Sequence, residues 1–270
     1  MRVHHLNCAT LCTAAPRLLR DARALVCHVL VVEADDGLVL VDAGLSTHDV
    51  RDATRRLGRA FRWLVRPALR EEETALRQIE RLGFVASDVR HVVLTHLDLD
   101  HAGGIADFPR AKVHAMLQEH EAAHLRTAVR ERSRYREAQL EHFPDFELYR
   151  TRGASWFGLD AVALRGLPED VRLVPLFGHT RGHAGVAVRG DEGWMLHAGD
   201  AYFHFRETEG GHAPLMLRAL ARYDAMDDAA RRESRARVAA LARAGEVRVF
   251  CAHDATEFEK ATGYRPTEGA

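Results

Sequence analysis

The segment that most constrains this chain is Val92-Val93-Leu94-Thr95-His96-Leu97-Asp98-Leu99-Asp100-His101-Ala102-Gly103-Gly104. An apolar run of strand type breaks into a loop holding two imidazoles and two carboxylates, and the loop closes on a glycine pair. Buried together, such groups lose solvation without gaining partners. A divalent cation removes the conflict, because neutral imidazole and ionised carboxylate are both good ligands. The plainer alternative, a solvated polar loop, gives no reason for these residue types at this spacing.

The arrangement of a strand followed by a potential ligand recurs along the chain. Leu25 to Glu33 and Leu38 to Val41 read as strands joined by an Asp35-Asp36-Gly37 turn, the second ending at Asp42-Ala43-Gly44. Their continuous apolar character predicts burial on both faces. A strand over Arg172 to Leu176 leads to Gly178-His179-Thr180-Arg181-Gly182-His183. Trp194 to His197 leads to Asp200, and Val247 to Cys251 leads to His253. Groups placed just outside strand ends are the ones a layered α/β scaffold can bring together from distant sequence. Helices are predicted over Glu71–Leu82, Leu215–Arg222 and Ala229–Ala244, and strands over Val89–Leu94 and Lys112–Ala115. Residues 1–24 read as irregular, and 45–69 as a long connection carrying Phe61 and Trp63, suited to covering a substrate or meeting a partner. The charged, helix-rich stretch from 117 to 150 lies between ligand blocks, so a helical cap within 117–165 is a candidate on a single domain spanning 1–270.

Composition excludes more than it selects. A formal net charge of −1 over 270 residues gives no electrostatic case for nucleic acid or an anionic membrane. No stretch approaches the ~18 apolar residues of a membrane span. Pro16, Arg17, Arg20, Asp21 and Arg23 interrupt any signal-peptide core. Four scattered cysteines point to a reduced, cytoplasmic setting rather than a disulfide framework. No Gly-x-Ser-x-Gly nucleophile block occurs.

Taken in order, Val39–Gly44, His96–His101, Gly178–His183, His197–Asp200 and Cys251–Asp254 resemble the motif series of the metallo-β-lactamase fold superfamily, and most closely its N-acyl-homoserine lactonase-like group. The resemblance implies a four-layer αββα sandwich. It also implies one divalent cation on His96, Asp98 and His179, a second on Asp100, His101 and His253, and Asp200 bridging them beside a shared water or hydroxide. Asp42 would support the site from outside, and His183 would be a hydrogen-bonding structural residue. Asp98 stands where most of the family has His, which hardens the ligand set. Zinc is the expected metal, with iron or manganese admitted by Asp98. The activity implied is hydrolysis of a small lactone or other ester, Asp100 orienting the attacking water and Tyr202, with His204 behind it, touching the substrate carbonyl. Thioester hydrolysis of the glyoxalase II type, β-lactam hydrolysis and a non-hydrolytic diiron or redox role are the alternatives. A homodimer is compatible with the aromatic connection near Trp63.

Overall fold

The computed structural model describes residues 1–12, 25–151 and 153–264. The residues behind the signal-peptide argument, Pro16 to Arg23, lie outside that set. One sheet runs β1 (Val3–Leu11), β2 (Leu25–Ala34), β3 (Gly37–Val41), β4 (Val89–Val93), β5 (Lys112–Met116) and β6 (Asp145–Tyr149) in that spatial order. The other runs β12 (Arg248–Phe250), β11 (Gly193–His197), β10 (Ala184–Gly190), β9 (Val171–Pro175), β8 (Leu159–Ala163) and β7 (Ala154–Trp156).

Strand alternation makes the layers. On β2, Val29 and Val31 join the core outside the first sheet, while Leu30 and Val32 face the second sheet. On β3, Leu38 and Leu40 point outward and Val39 and Val41 inward. The outer core is closed by Ala75 and Ile79 of the helix Ala75–Arg81. The inter-sheet core adds Val171, Leu173, Val186 and Val188. Beyond the second sheet, Val174, Leu176, Ala187 and Leu196 pack on Val238 and Leu241 of the helix Asp228–Ala244. Helix, sheet, sheet and helix are thus stacked as the expected αββα sandwich, each sheet buried on both faces.

Strand direction places the site. β3 and β4 are parallel neighbours, as are β11 and β12, so within each pair the carboxyl ends open at one edge. At that edge the sheets are joined by main-chain hydrogen bonds from Ala184 N to Thr95 O, 2.9 Å, and from His28 N to Ala252 O, 2.9 Å.

Two expectations are corrected. The segment 1–24 is not irregular throughout, since Val3–Leu11 forms β1. Its polar residues hid the pattern. Asn7 is buried yet satisfied, accepting from Cys27 N at 3.0 Å and donating to Thr10 Oγ1 at 2.9 Å, where the strand register shifts. The connection 45–69 carries helices Thr47–Arg51, Ala53–Arg56 and Gly58–Val65, the first started by a reciprocal Ser46–Asp49 capping box. Within 117–165, helices span Leu117–Leu125, Val129–Arg134 and Glu137–Leu140, and residues 145–163 supply β6, β7 and β8.

Two devices hold the loops that leave the strands. Gly104 N donates to Gly44 O at 2.8 Å, and a Cβ at Gly104 would lie 2.1 Å from Ala43 O. Gly104→Ala is therefore expected to lower unfolding free energy by about 1–3 kcal/mol in urea, and an unchanged midpoint would refute this reading of the close approach. The second device is Glu257 on the helix Ala255–Thr262, which accepts from Cys251 N at 2.8 Å and Tyr202 Oη at 2.9 Å. Burial, reinforced by Asp254, pushes the Glu257 carboxyl up to about 8. Because this folded value lies above that of a free glutamate, the associated stability is complete below about pH 4.5 and is lost as pH rises through about 8. Glu257→Gln mimics the neutral acid, with its amide nitrogen turned to Tyr202. The variant should show a flatter decline in stability between pH 5 and 8 than the parent in parallel thermal melts, and coincident profiles would contradict the assignment.

Candidate metal centre

The loop after β4 contributes His96 and Asp98, the short helix Leu99–Ala102 that follows contributes Asp100 and His101, and the loops after β9, β11 and β12 contribute His179, Asp200 and His253. Ligand atoms of His96, His179 and Asp200 all lie within 4.8 Å of one another, as do those of His101, Asp200 and His253. Asp200 turns one oxygen to each group. Its Oδ2 is 3.4 Å from His179 Nε2 and 4.0 Å from His96 Nε2, and its Oδ1 is 3.2 Å from His253 Nε2 and 3.5 Å from His101 Nε2. Asp98 Oδ2 lies 3.3 Å from His96 Nε2 and 3.0 Å from His179 Nε2, and Asp100 Oδ2 lies 3.6 Å from His253 Nε2. All the residues expected as ligands are thus brought to one place.

Neighbouring groups fix which nitrogen faces inward. His101 Nδ1 is 2.8 Å from Asp42 Oδ2, and Asp42 also accepts from Thr95 N and Thr95 Oγ1. His253 Nδ1 donates to Val26 O at 2.7 Å. In both rings Nε2 is left for the cluster, as it is for metal-bound imidazoles whose other nitrogen has a fixed acceptor. Asp42 has φ +57°, an uncommon state for a residue with a side chain, and its carboxylate bonds over-determine it. His183 donates from Nδ1 to Leu176 O and accepts from Asp200 N at Nε2, both at 2.8 Å, so both ring nitrogens are engaged and the ring holds the main chain of Asp200. Glu119 is fully buried and accepts from Leu97 N, Thr180 Oγ1, Gly182 N and Tyr135 Oη, which ties the first ligand loop to the second.

The residues fit a cation. His96 Nε2, Asp98 Oδ1 and Asp200 Oδ1 are buried with no hydrogen-bond partner. Native interiors rarely tolerate such orphaned polar atoms unless an ion or water completes them. The electrostatics agree. Burial opposes a charge on His101, but Asp200 and Asp42 outweigh it and hold the imidazole up at about 9. His253 is raised well above its ordinary value, burial being overcome by Asp200. Asp200 is held well below the usual carboxylate range, the field of His253 and His101 prevailing over burial. Protons and cations thus compete for one carboxylate field.

Several residues at the site carried no signal of it in sequence. Arg134, from the helix Val129–Arg134, reaches Asp98 Oδ2 at 2.8 Å and His179 Nε2 at 3.1 Å, and is held on its other side by Asp224 O at 2.6 Å and Asp224 Oδ1 at 2.8 Å. Burial works against the ionised form of Asp98, but Arg134 and His96 hold its carboxyl well below the usual range. Phe203 stacks parallel to His253 and meets His179 edge-on. Tyr202 is not brought to the cluster. It is fully buried in the core outside the second sheet, its hydroxyl engaged by Glu257, so the expected contact with a substrate carbonyl is withdrawn. His204 is buried as well and accepts from Arg206 N, closing a short turn rather than facing the ligands.

Comparison with known proteins agrees with this geometry. The model of the metallo-beta-lactamase superfamily matches residues 22–253. A Mycobacterium tuberculosis protein named "Probable metallo-hydrolase Rv2300c" is 44% identical over 258 residues, covering 94% of this chain and 80% of its own. An N-acyl homoserine lactonase of Bacillus cereus is 29% identical over 100 residues, 37% of this chain and 39% of its own. A solved N-acyl homoserine lactone hydrolase with N-hexanoyl-L-homoserine at its metal centre superposes with a TM-score of 0.71 at 19% identity, covering 97% of this chain and 96% of that one. With the family model spanning both the fold and the ligand loops, this chain belongs to the metallo-β-lactamase superfamily.

Proposed function

We propose that the chain is a metal-dependent hydrolase that opens a small lactone or related ester at a centre for two divalent cations. The observation that carries this reading is the pair of ligand groups sharing Asp200, with unpartnered nitrogen and oxygen atoms aimed between them. His96, Asp98 and His179 would hold one cation, Asp100, His101 and His253 the other, and Asp200 would bridge. Zinc suits the imidazole-rich set, and the carboxylate at Asp98 admits iron or manganese. Cations bound there supply a water acidified toward neutrality and a polarised ester carbonyl.

The chain's own residues do the rest. Asp100 stands beside the cluster, its Oδ2 3.6 Å from His253 Nε2, where its carboxylate is suited to hold the attacking water in line and pass that water's proton to the leaving alkoxide. Arg134 offsets the negative charge that Asp98 adds relative to a histidine. Phe203 walls the site beside His253 and excludes water. The helices Leu117–Leu125, Val129–Arg134 and Glu137–Leu140 act as the cap, fastened by Arg134 on Asp98 and by Tyr135 on Glu119. A small, uncharged cyclic ester is favoured because the lactonase-like fold neighbours include proteins solved with an acyl-homoserine product bound.

Asp200→Ala should lose both cations by elemental analysis and lose ester turnover with them, and full activity in that variant would overturn the scheme. Asp42→Asn removes a carboxylate acceptor from His101 without touching the inner ligands. It should weaken cation affinity about 10- to 100-fold in a chelator competition, whereas parental affinity would show that Asp42 does not orient the imidazole. A panel of acyl-homoserine lactones, aryl esters, glutathione thioesters and cephalosporins should give kcat/KM at least about tenfold higher on the lactones or aryl esters than on the other classes. Preference for the thioester or the β-lactam would redirect the substrate assignment, and tight iron without turnover of any ester would favour a redox role.

A further inference from the structure

We propose that Cys27 is an additional ligand to the cation held by Asp100, His101 and His253, an inference that rests on the two-cation reading above. Its position in an apolar strand, far from the ligand blocks in sequence, carries no hint of this. The fold brings it in through the amino-terminal end of β2, which runs beside the last ligand loop. Val26 O accepts from His253 Nδ1 at 2.7 Å, and His28 N donates to Ala252 O at 2.9 Å. Alternation along the strand then sorts the side chains. Val26 packs with Ala255 and Phe258, and His28 stacks on Phe250, so Cys27 is directed to the opposite face.

On that face its Sγ lies within 4.8 Å of ligand atoms of both Asp100 and His253, and Asp100 Oδ2 is 3.6 Å from His253 Nε2. A second observation points to a ligand beside the same imidazole, His253 being common to this group and to the group it forms with His101 and Asp200. Asp200 is 4% exposed, and its Oδ1, 3.2 Å from His253 Nε2, is buried with no hydrogen-bond partner. A cation held between the two groups would draw on the imidazoles of His101 and His253, the carboxylates of Asp100 and Asp200, and the sulfur of Cys27. Thiolate is the softest ligand available to proteins and selects zinc or cobalt over magnesium or manganese. Coordination forms an Sγ–metal bond and breaks the S–H bond, the proton leaving to solvent, with no change of oxidation state. Cys27 thereby gives the second position a preference that the first position, with the same count of imidazoles and carboxylates but no sulfur, lacks, and the two cations are free to be different elements.

The test is titration of the metal-free, full-length protein with Co²⁺, followed by absorption spectroscopy. The expected result is a near-ultraviolet thiolate-to-cobalt charge-transfer band in the parent. In Cys27→Ser, which keeps shape and polarity, the band should be absent while visible cobalt bands remain, and chelator competition should show at least about tenfold weaker binding of one equivalent. Cys27→Ala, checked by circular dichroism, should behave the same way. Two bound cobalt ions in the parent with no near-ultraviolet band, or a band that persists in both variants, would overturn the role of Cys27 and leave the metal centre standing. Failure of the parent to bind cobalt would overturn both readings together.

Discussion

The structure depends on a single electrostatic arrangement. Imidazole nitrogens and carboxylate oxygens are crowded within a few ångströms in an interior that would otherwise reject them. Each outer contact exists to make that crowding tolerable. Asp42 and Val26 O take the outward-facing nitrogens of His101 and His253, His183 fixes the main chain of Asp200, and Glu119 satisfies amides from both ligand loops. Taken singly these bonds are modest, but the penalty for leaving any one of these buried groups unpaired is larger than the bond is worth.

The sandwich is what lets such a cluster form. Parallel neighbours in each sheet deliver their chain ends to one edge, and the main-chain bond from Ala184 to Thr95 locks the two edges face to face. Rigid strands hold the first atom of each ligand loop, and small residues such as Gly104 and Gly182 let the loops lie against their neighbours. A Cβ on Gly182 would fall 2.2 Å from Glu119 N. Packing and chemistry are therefore one problem in this chain. The inter-sheet core sets the spacing that the ligands need.

Much of this is legible in the amino-acid sequence. The αββα layers follow from apolar runs that bury both faces of each sheet, and the ligand loops stand out because His and Asp follow such runs directly. Other features are hidden there for physical reasons. Arg134 sits among Arg130, Arg132 and Arg136 on charged helices, and only tertiary placement selects the one that meets Asp98. Val3–Leu11 lacks an apolar alternation because Asn7 and Thr10 are buried with each other as partners. Tyr202 is two residues from Asp200, but the chain turns after the strand end and carries the ring into the outer core beside Val238. Nearness in sequence says nothing about which side of the sheet it reaches.

The central claim is that two cations sit on either side of Asp200. Crystals grown with zinc, iron and manganese available, with diffraction recorded above and below each absorption edge, test it most directly. The account predicts two anomalous peaks, one among His96, Asp98 and His179 and one among Asp100, His101 and His253, with an Asp200 oxygen on each. A cluster that keeps this geometry around water alone, with no anomalous density at any edge, would contradict it.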